Sequence, residues 1–362
     1  MKTLVVKIGT STLTRDGKAD EVFLRDLARQ IHDLRDEWRV VVVTSGAIRV
    51  GLDAIGRARA VRLPEKQAAA AIGQSLLMRE YRRAFDEYAM PIAQLLLTRA
   101  DLADRRRFVN ARRTFAQLFK WNILPIVNEN DTVATEEIRF GDNDTLSAMT
   151  ALCAEAQLVI LLSDIDGFYM TGETKPEARI ENITLEVEAA AGGVGSAGAT
   201  GGMRTKIEAA RIATQAGIEL VIAHGRAENI VARVARGESV GTRFCATSST
   251  RSRTKARSRK QWIASGQKPQ GTLHLNECAR CHLIERGSSL LPIGIERVEG
   301  DFEAGDVVAV RDALGEIARG LSNFSSANLS RIAGLHSSQI GATMGEQAPT
   351  EAIHRDNLSL AK

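Results

Sequence analysis

Residues 1–240 repeat one alternation, a short and nearly continuous apolar run followed by a longer stretch with apolar residues at helical spacing. Runs such as Val40-Val41-Val42-Val43 and Leu158-Val159-Ile160-Leu161-Leu162 show no polar alternation. A strand of that kind is buried on both faces, which requires a mostly parallel sheet covered by helices on each side. Strands are predicted at residues 3–8, 39–43, 92–97, 123–127, 158–162 and 219–222. Helices are predicted at 21–35, 63–85, 108–119, 143–154, 202–216 and 227–236. The expected fold class is α/β, with a mostly parallel central sheet sandwiched by helices.

The pattern changes near residue 245. Arg251-Ser252-Arg253-Thr254-Lys255-Ala256-Arg257-Ser258-Arg259-Lys260 holds six basic residues in ten. We read 251–266 as a basic linker. Short β-like runs follow at 272–275, 293–298, 306–310 and 316–320, with a helical stretch at 327–332. Gly and Pro punctuate them, as in a small, mainly β domain. The expected division is an α/β domain over 1–250, the linker, a β domain over 267–350, and a polar, partly loose tail over 351–362.

Aromatic residues make up only 4% of the chain, so both cores must be largely aliphatic. The net charge of +4 is concentrated locally and is no general sign of nucleic-acid binding. The first residues contain no long apolar segment of the secretory kind. No run approaches the ~18 apolar residues of a membrane helix. Four cysteines in 362 residues do not make a disulfide scaffold. The cytoplasm is the expected location. Cys278-Ala279-Arg280-Cys281-His282 fits the haem-attachment pattern, but that chemistry needs export, and a zinc site would need two further ligands, with His274 the one near candidate. We read these cysteines as coincidental, on a short helix at 277–284.

Four glycine- or hydroxyl-rich turns follow predicted strands: Lys7-Ile8-Gly9-Thr10-Ser11, Thr44-Ser45-Gly46-Ala47-Ile48, Ser163-Asp164-Ile165-Asp166-Gly167, and Ala199-Thr200-Gly201-Gly202-Met203-Arg204-Thr205-Lys206. The last three, each taken alone, read equally as a turn or loop or as a place where backbone N–H groups meet a phosphate, whereas the first alone reads sooner as a surface lysine before a turn. Together they supply two lysines and several N–H clusters but no protein nucleophile. That inventory suits phosphoryl transfer, in which positioning and charge neutralisation do most of the catalysis. Two polar tetrads add a second theme. Asn128-Glu129-Asn130-Asp131 closes a predicted strand and Gly141-Asp142-Asn143-Asp144 opens a predicted helix. Amides and carboxylates at strand C-terminal ends are where open α/β sheets bind small ligands, here one with both ammonium and carboxylate groups.

In their order along the chain, these motifs resemble the amino acid kinase family, and within it the branch that phosphorylates glutamate. Leu95 to Asp101, Arg107 to Arg112 and Arg286-Gly287-Ser288-Ser289-Leu290-Leu291-Pro292 extend the likeness. The C-terminal part resembles a PUA domain. The resemblance implies transfer of the γ-phosphate of ATP to the γ-carboxylate of L-glutamate, the first step of proline biosynthesis, with feedback inhibition by proline. It implies that Lys7 and Lys206 neutralise the moving phosphoryl group and that Asp144 holds both lysines. Ser45, Asp131 and Asn143, with Asn128 close by, match the glutamate-binding residues. Ser163, Asp164 and the run Thr200, Gly201, Gly202, Met203, Arg204, Thr205 and Lys206 match the nucleotide contacts, together with Lys7. Arg204 stands where a small residue is common, and solvent is its expected surrounding. Magnesium is expected on the ATP phosphates, with no protein ligand set. A homo-oligomer (dimer or tetramer) and a glutamyl phosphate reductase as recipient of the product are also implied.

The alternatives within the class are kinases of aspartate, N-acetylglutamate, carbamate or UMP. The alternative outside it is an RNA-binding protein acting through the PUA-like domain. Stacking on bases needs exposed aromatics, and only Trp262, Phe302 and Phe324 are at hand there, without an aromatic–basic pattern.

Overall fold

The computed structural model describes residues 1–134, 142–192, 201–246, 269–312, 315–344 and 349–360. The basic linker, Thr200, Gly141 and Trp262 lie outside the described residues. The chain divides into two units, one spanning Met1–Leu102 and Arg106–Arg251, the other comprising Ala103–Arg105 and Ser252–Lys362.

The first unit runs β1 (Lys2–Ile8), α1 (Thr10–Leu13), β2 (Thr14–Arg15), β3 (Lys18–Ala19), α2 (Glu21–Leu34), β4 (Trp38–Val43), α3 (Ala47–Ala54) and α4 (Leu63–Asp86). It continues with β5 (Ile92–Leu97), α5 (Arg99–Ala103), α6 (Arg105–Lys120), β6 (Leu124–Glu129), α7 (Asp142–Cys153) and β7 (Leu158–Ser163). The last elements are β8 (Arg179–Ile180), α8 (Leu185–Gly192), α9 (Gly201–Gln215), β9 (Glu219–His224), α10 (Ile230–Ala235) and β10 (Thr242–Phe244).

Eight strands form one sheet in the order β5-β6-β4-β1-β7-β9-β10-β8. The six from β5 to β9 are mutually parallel, and β10 turns antiparallel against β9. The unbroken apolar strands are those buried throughout: β7 from end to end, and β1 from Thr3 onward. Leu4, Val6, Val42, Ile126 and Ile160 pack under α2 and α4, whose Leu24, Leu27, Ile31, Leu77 and Phe85 face them. Because these strands run the same way, Lys7, Val43, Val127 and Leu161 stand level near their C-terminal ends. The loops that leave those ends therefore converge at one edge of the sheet.

Every predicted strand and helix of this unit is found. The differences lie in short elements. α1, β2, β3, α3, α5, α8, β8 and β10 were not anticipated, being eight residues or fewer and so shorter than the window over which periodicity is read. β6 also runs on to Glu129, so Asn128 and Glu129 are strand residues.

In the second unit, β11 (Gly271–Leu275), β12 (Ile295–Gly300), β13 (Val307–Asp312), β14 (Gly315–Leu321) and β15 (Leu358–Leu360) form a sheet in the order β12-β11-β13-β14-β15. Leu273, Val308, Val310, Phe324, Leu329 and Ile353 form its core. Residues 293–294 belong to a 3-10 turn, Pro292–Gly294, rather than to the strand expected there. β15 pairs with β14 in the stretch expected to be loose, and Ile353 is fully buried. The helix Glu277–Arg286 starts on an Asn276 side chain that accepts from the Ala279 N–H at 2.8 Å. Phe302 and Phe324, two of the aromatics considered for base stacking, are buried.

Candidate active site

Lys7 is the buried penultimate residue of β1, and the chain then turns at Gly9, whose N–H donates to Leu162 O of β7 at 3.2 Å. Its ammonium reaches Asp144 Oδ1 at 2.5 Å. Lys206, on α9, meets the other oxygen of the same carboxylate, Oδ2, at 3.0 Å. Thr205 Oγ1 lies 3.0 Å from Oδ2 and 2.9 Å from Gly202 O. Asp144 is fully buried in the first turn of α7, where a helix N-terminus favours a negative charge.

These charges set one another's ionisation. Burial is the strongest influence on Lys7 and lowers its pKa, helped by the nearby Lys206 ammonium, while Asp144 and Asp164 act against the shift. Burial alone would raise the Asp144 carboxyl, yet Lys7 and Lys206 outweigh it and hold Asp144 below the usual carboxylate range. Asp144 is therefore an anion at neutral pH, braced between two cationic side chains that come from opposite ends of the unit.

Next to it stands a chain of amides. Asn143 Nδ2 donates to Thr44 O at 2.9 Å, to Ser45 Oγ at 2.9 Å and to Asn128 Oδ1 at 3.2 Å. Asn128 Oδ1 also accepts from the Glu129 N–H at 2.9 Å, and Asn128 Nδ2 donates to Gln74 Oε1 at 2.7 Å. Asn143 Oδ1 is buried with no hydrogen-bond partner among the described residues. The Ser45 turn is shaped by Gly46, which holds φ +91° just before α3, a conformation a side chain would strain. Asp131 is half-buried in the turn that follows β6.

The structure thus gathers the expected residues into two adjoining groups. Lys7, Asp144, Thr205 and Lys206 form one, and Ser45, Asn128 and Asn143 the other, joined because Asn143 and Asp144 are consecutive. Ser163 Oγ bonds Asp164 Oδ1 at 3.1 Å at the end of β7, close enough for Asp164 to act on Lys7. Gly201 and Gly202 open α9, Met203 is half-buried and Arg204 is exposed. Among the described residues no group of three or more His, Cys, Asp or Glu is placed to hold a metal ion. Cys281 is a free, exposed thiol, and His274 pairs with Glu299 at 3.1 Å.

Gln74 was not anticipated as part of this region, and Thr44 was named only as a member of its turn. Gln74 sits inside an ordinary-looking amphipathic helix, and no local pattern marks it as the partner of Asn128.

A family model described as the amino acid kinase family matches residues 2–224, and one described as the PUA domain matches residues 271–343. Among curated relatives, glutamate 5-kinase of Moorella thermoacetica is 45% identical over 364 residues, covering 98% of this chain and 95% of its own. Glutamate 5-kinase of Carboxydothermus hydrogenoformans is 46% identical over 372 residues, covering 99% and 98%. Glutamate 5-kinase of Citrifermentans bemidjiense is 45% identical over 369 residues, with the same coverage of 99% and 98%.

Proposed function

This chain belongs to the amino acid kinase family and carries a PUA domain, and on that premise we propose that the groups around Asp144 transfer the γ-phosphoryl group of ATP to the γ-carboxylate of L-glutamate. The product is L-glutamyl 5-phosphate, in proline biosynthesis. The observation that carries the site assignment is the placing of Lys7 and Lys206 on opposite oxygens of one buried carboxylate, beside a cluster of amides.

The chemistry asks little of a base. The γ-carboxylate is already an anion and needs no deprotonation. One of its oxygens forms a bond to the γ-phosphorus as the bond to the β-phosphate oxygen breaks, and ADP departs with that electron pair. The obstacle is the repulsion between two anions and the charge on the moving phosphoryl group. Lys7 and Lys206 offset it, and Asp144 keeps both ammonium groups aimed at the transfer path. Ser45, Asn128, Asp131 and Asn143 hold glutamate, with the unpartnered Asn143 Oδ1 as an acceptor for its ammonium. Ser163, Asp164 and the run Thr200 to Lys206 hold the nucleotide. Both Asp144 oxygens are taken by lysines, so the magnesium that accompanies ATP would be held by phosphate oxygens and supply further charge neutralisation. The same reading includes feedback inhibition by proline, assembly as a dimer or tetramer, delivery of the labile acyl phosphate to a reductase, and a cytoplasmic location.

The test is magnesium- and ATP-dependent hydroxamate formation with hydroxylamine, comparing L-glutamate, L-aspartate and N-acetyl-L-glutamate, each with and without L-proline. Glutamate-specific product, lowered by proline, is expected. Product from another acid alone would move the substrate assignment, and no product from any would overturn it.

A further inference from the structure

α4 carries three polar side chains at seven-residue spacing, Gln67, Gln74 and Tyr81. Seven residues are close to two helical turns, so the three share one face. Each reaches a different segment of the amino-acid side. Gln67 Nε2 donates to Ala134 O at 3.1 Å, just beyond Asp131. Gln74 Oε1 accepts from Asn128. Tyr81 is fully buried and its hydroxyl donates to Thr44 Oγ1 at 2.8 Å, beside Ser45.

Glycine brings this face into place. A Cβ on Gly73 would stand 1.8 Å from Ala47 O, and one on Gly51 would stand 1.8 Å from Ala69 O. α3 and α4 therefore touch backbone to backbone, and α3 begins directly after the Ser45-Gly46 turn.

The orientation of the amides is not free. The Glu129 N–H can only donate and Thr44 O can only accept, so they fix which end of Asn128 and Asn143 faces which way. Asn128 must then turn its nitrogen toward α4, where Gln74 Oε1 is the acceptor that meets it. Without that acceptor a buried donor is left unmade, and Asn128 gains by rotating away from Asn143.

We propose that Gln74 is the positioning residue of the amino-acid site: by accepting from Asn128 it holds Asn128 and Asn143 in the orientation that leaves Asn143 Oδ1 for the substrate's ammonium group. Gln67 and Tyr81 hold the flanking segments from the same helix face. The inference rests on the reading of Ser45, Asn128, Asp131 and Asn143 as the glutamate contacts.

The test is steady-state kinetics of the full chain for Gln74→Met, Asn128→Ala, their double variant and Asn143→Ala, varying glutamate and ATP separately. Gln74→Met should raise the glutamate KM about tenfold, the scale of one lost hydrogen bond to a buried polar group, with the ATP KM and kcat within about twofold. Added to Asn128→Ala it should have no further effect, because it acts through Asn128. Additive effects, or a parallel loss of kcat and ATP affinity, would overturn the proposal. So would an unchanged glutamate KM in Gln74→Met while Asn143→Ala raises it, an outcome that leaves the site reading intact. If neither Gln74→Met nor Asn143→Ala moves the glutamate KM, the site reading itself fails. Should Gln74→Met not fold, Gln74→Ala enters the same cycle with the same expectations.

Discussion

Lys7 and Lys206 share one carboxylate: the first sits 2.5 Å from Asp144 Oδ1 and the second 3.0 Å from Oδ2. One lysine lies near the end of β1 and the other rides on α9, so the carboxylate ties the first and late elements of the kinase unit together. A cationic pair this close would repel without Asp144, and Asp144 would be too costly to bury as an anion without the lysines.

On the roles proposed above, removing Lys7 leaves transition-state charge without one of its two partners. Lys7→Ala should lower kcat by about a hundredfold or more, the scale of a lost electrostatic contact at a transferring group, with a smaller change in either KM. Initial rates at saturating substrates check this, and a change confined to KM would contradict it. Lys7 must also be charged to act. Its pKa is lowered by burial, so kcat should fall as pH rises through a value below the ordinary lysine value of 10.5. Lys7→Arg, if active, should lack that alkaline limb.

Asp144→Asn breaks a buried charge cluster and leaves two ammonium groups facing each other. The expected cost is about 3–5 kcal/mol, as for removal of one partner from a buried ion pair. Urea unfolding at neutral pH measures it. The Asp144 carboxyl is held below its ordinary value, so the folded state binds fewer protons there than the unfolded chain. Its contribution is present above the unfolded carboxylate pKa of 3.8 and is lost as pH falls through the lowered folded value. The gap between wild type and Asp144→Asn should therefore narrow in acid.

Gly73→Ala places a methyl group where Ala47 O stands. The helices α3 and α4 must part, at about 1–3 kcal/mol for overpacking. Because α3 follows the Ser45 turn, the glutamate KM should rise together with the fall in melting temperature. A destabilised variant with unchanged glutamate KM would show that the helix contact does not shape the site.

Glu65 caps the start of α4 from its third position. It accepts from the Val61 N–H at 2.9 Å and from the Arg62 N–H at 3.2 Å, and these contacts, with the Arg62 side chain, hold its carboxyl at about 2. The sign is that of a depressed acid, with stability present above its ordinary value of 4.5 and lost as pH falls toward 2. Glu65→Gln should melt earlier than wild type at neutral pH, and the two should converge in acid.

The sheet was legible because β1, β4 and β7 are apolar on both faces, which leaves one architecture open to them. Lys7, Ser45 and Asn128 were legible because each lies at or just after the end of a strand, and Asn143 because it opens a helix. What joins them was not. Nothing in local pattern says that Asp144 receives both lysines, which is a matter of how distant elements pack, and there the family resemblance supplied the expectation. Thr205 was expected on the nucleotide, whereas its hydroxyl also reaches Asp144. Gln74 and Tyr81 were hidden because polar residues on a long helix ordinarily face water. β15 was hidden because three residues in a polar tail carry too little periodicity to mark a strand.

Attack by the glutamate γ-carboxylate itself on the phosphorus separates this transfer from simple ATP hydrolysis. It is tested by supplying ATP, magnesium and L-glutamate labelled with oxygen-18 in the γ-carboxylate, then trapping with hydroxylamine and weighing the released phosphate. Hydroxylamine attacks the acyl carbon, so the oxygen that bridged carbon and phosphorus leaves with the phosphate. One labelled oxygen is expected in each phosphate released with the hydroxamate. Unlabelled phosphate formed in step with glutamate-dependent ATP cleavage would mean that water, not the carboxylate, accepts the phosphoryl group, and would contradict it.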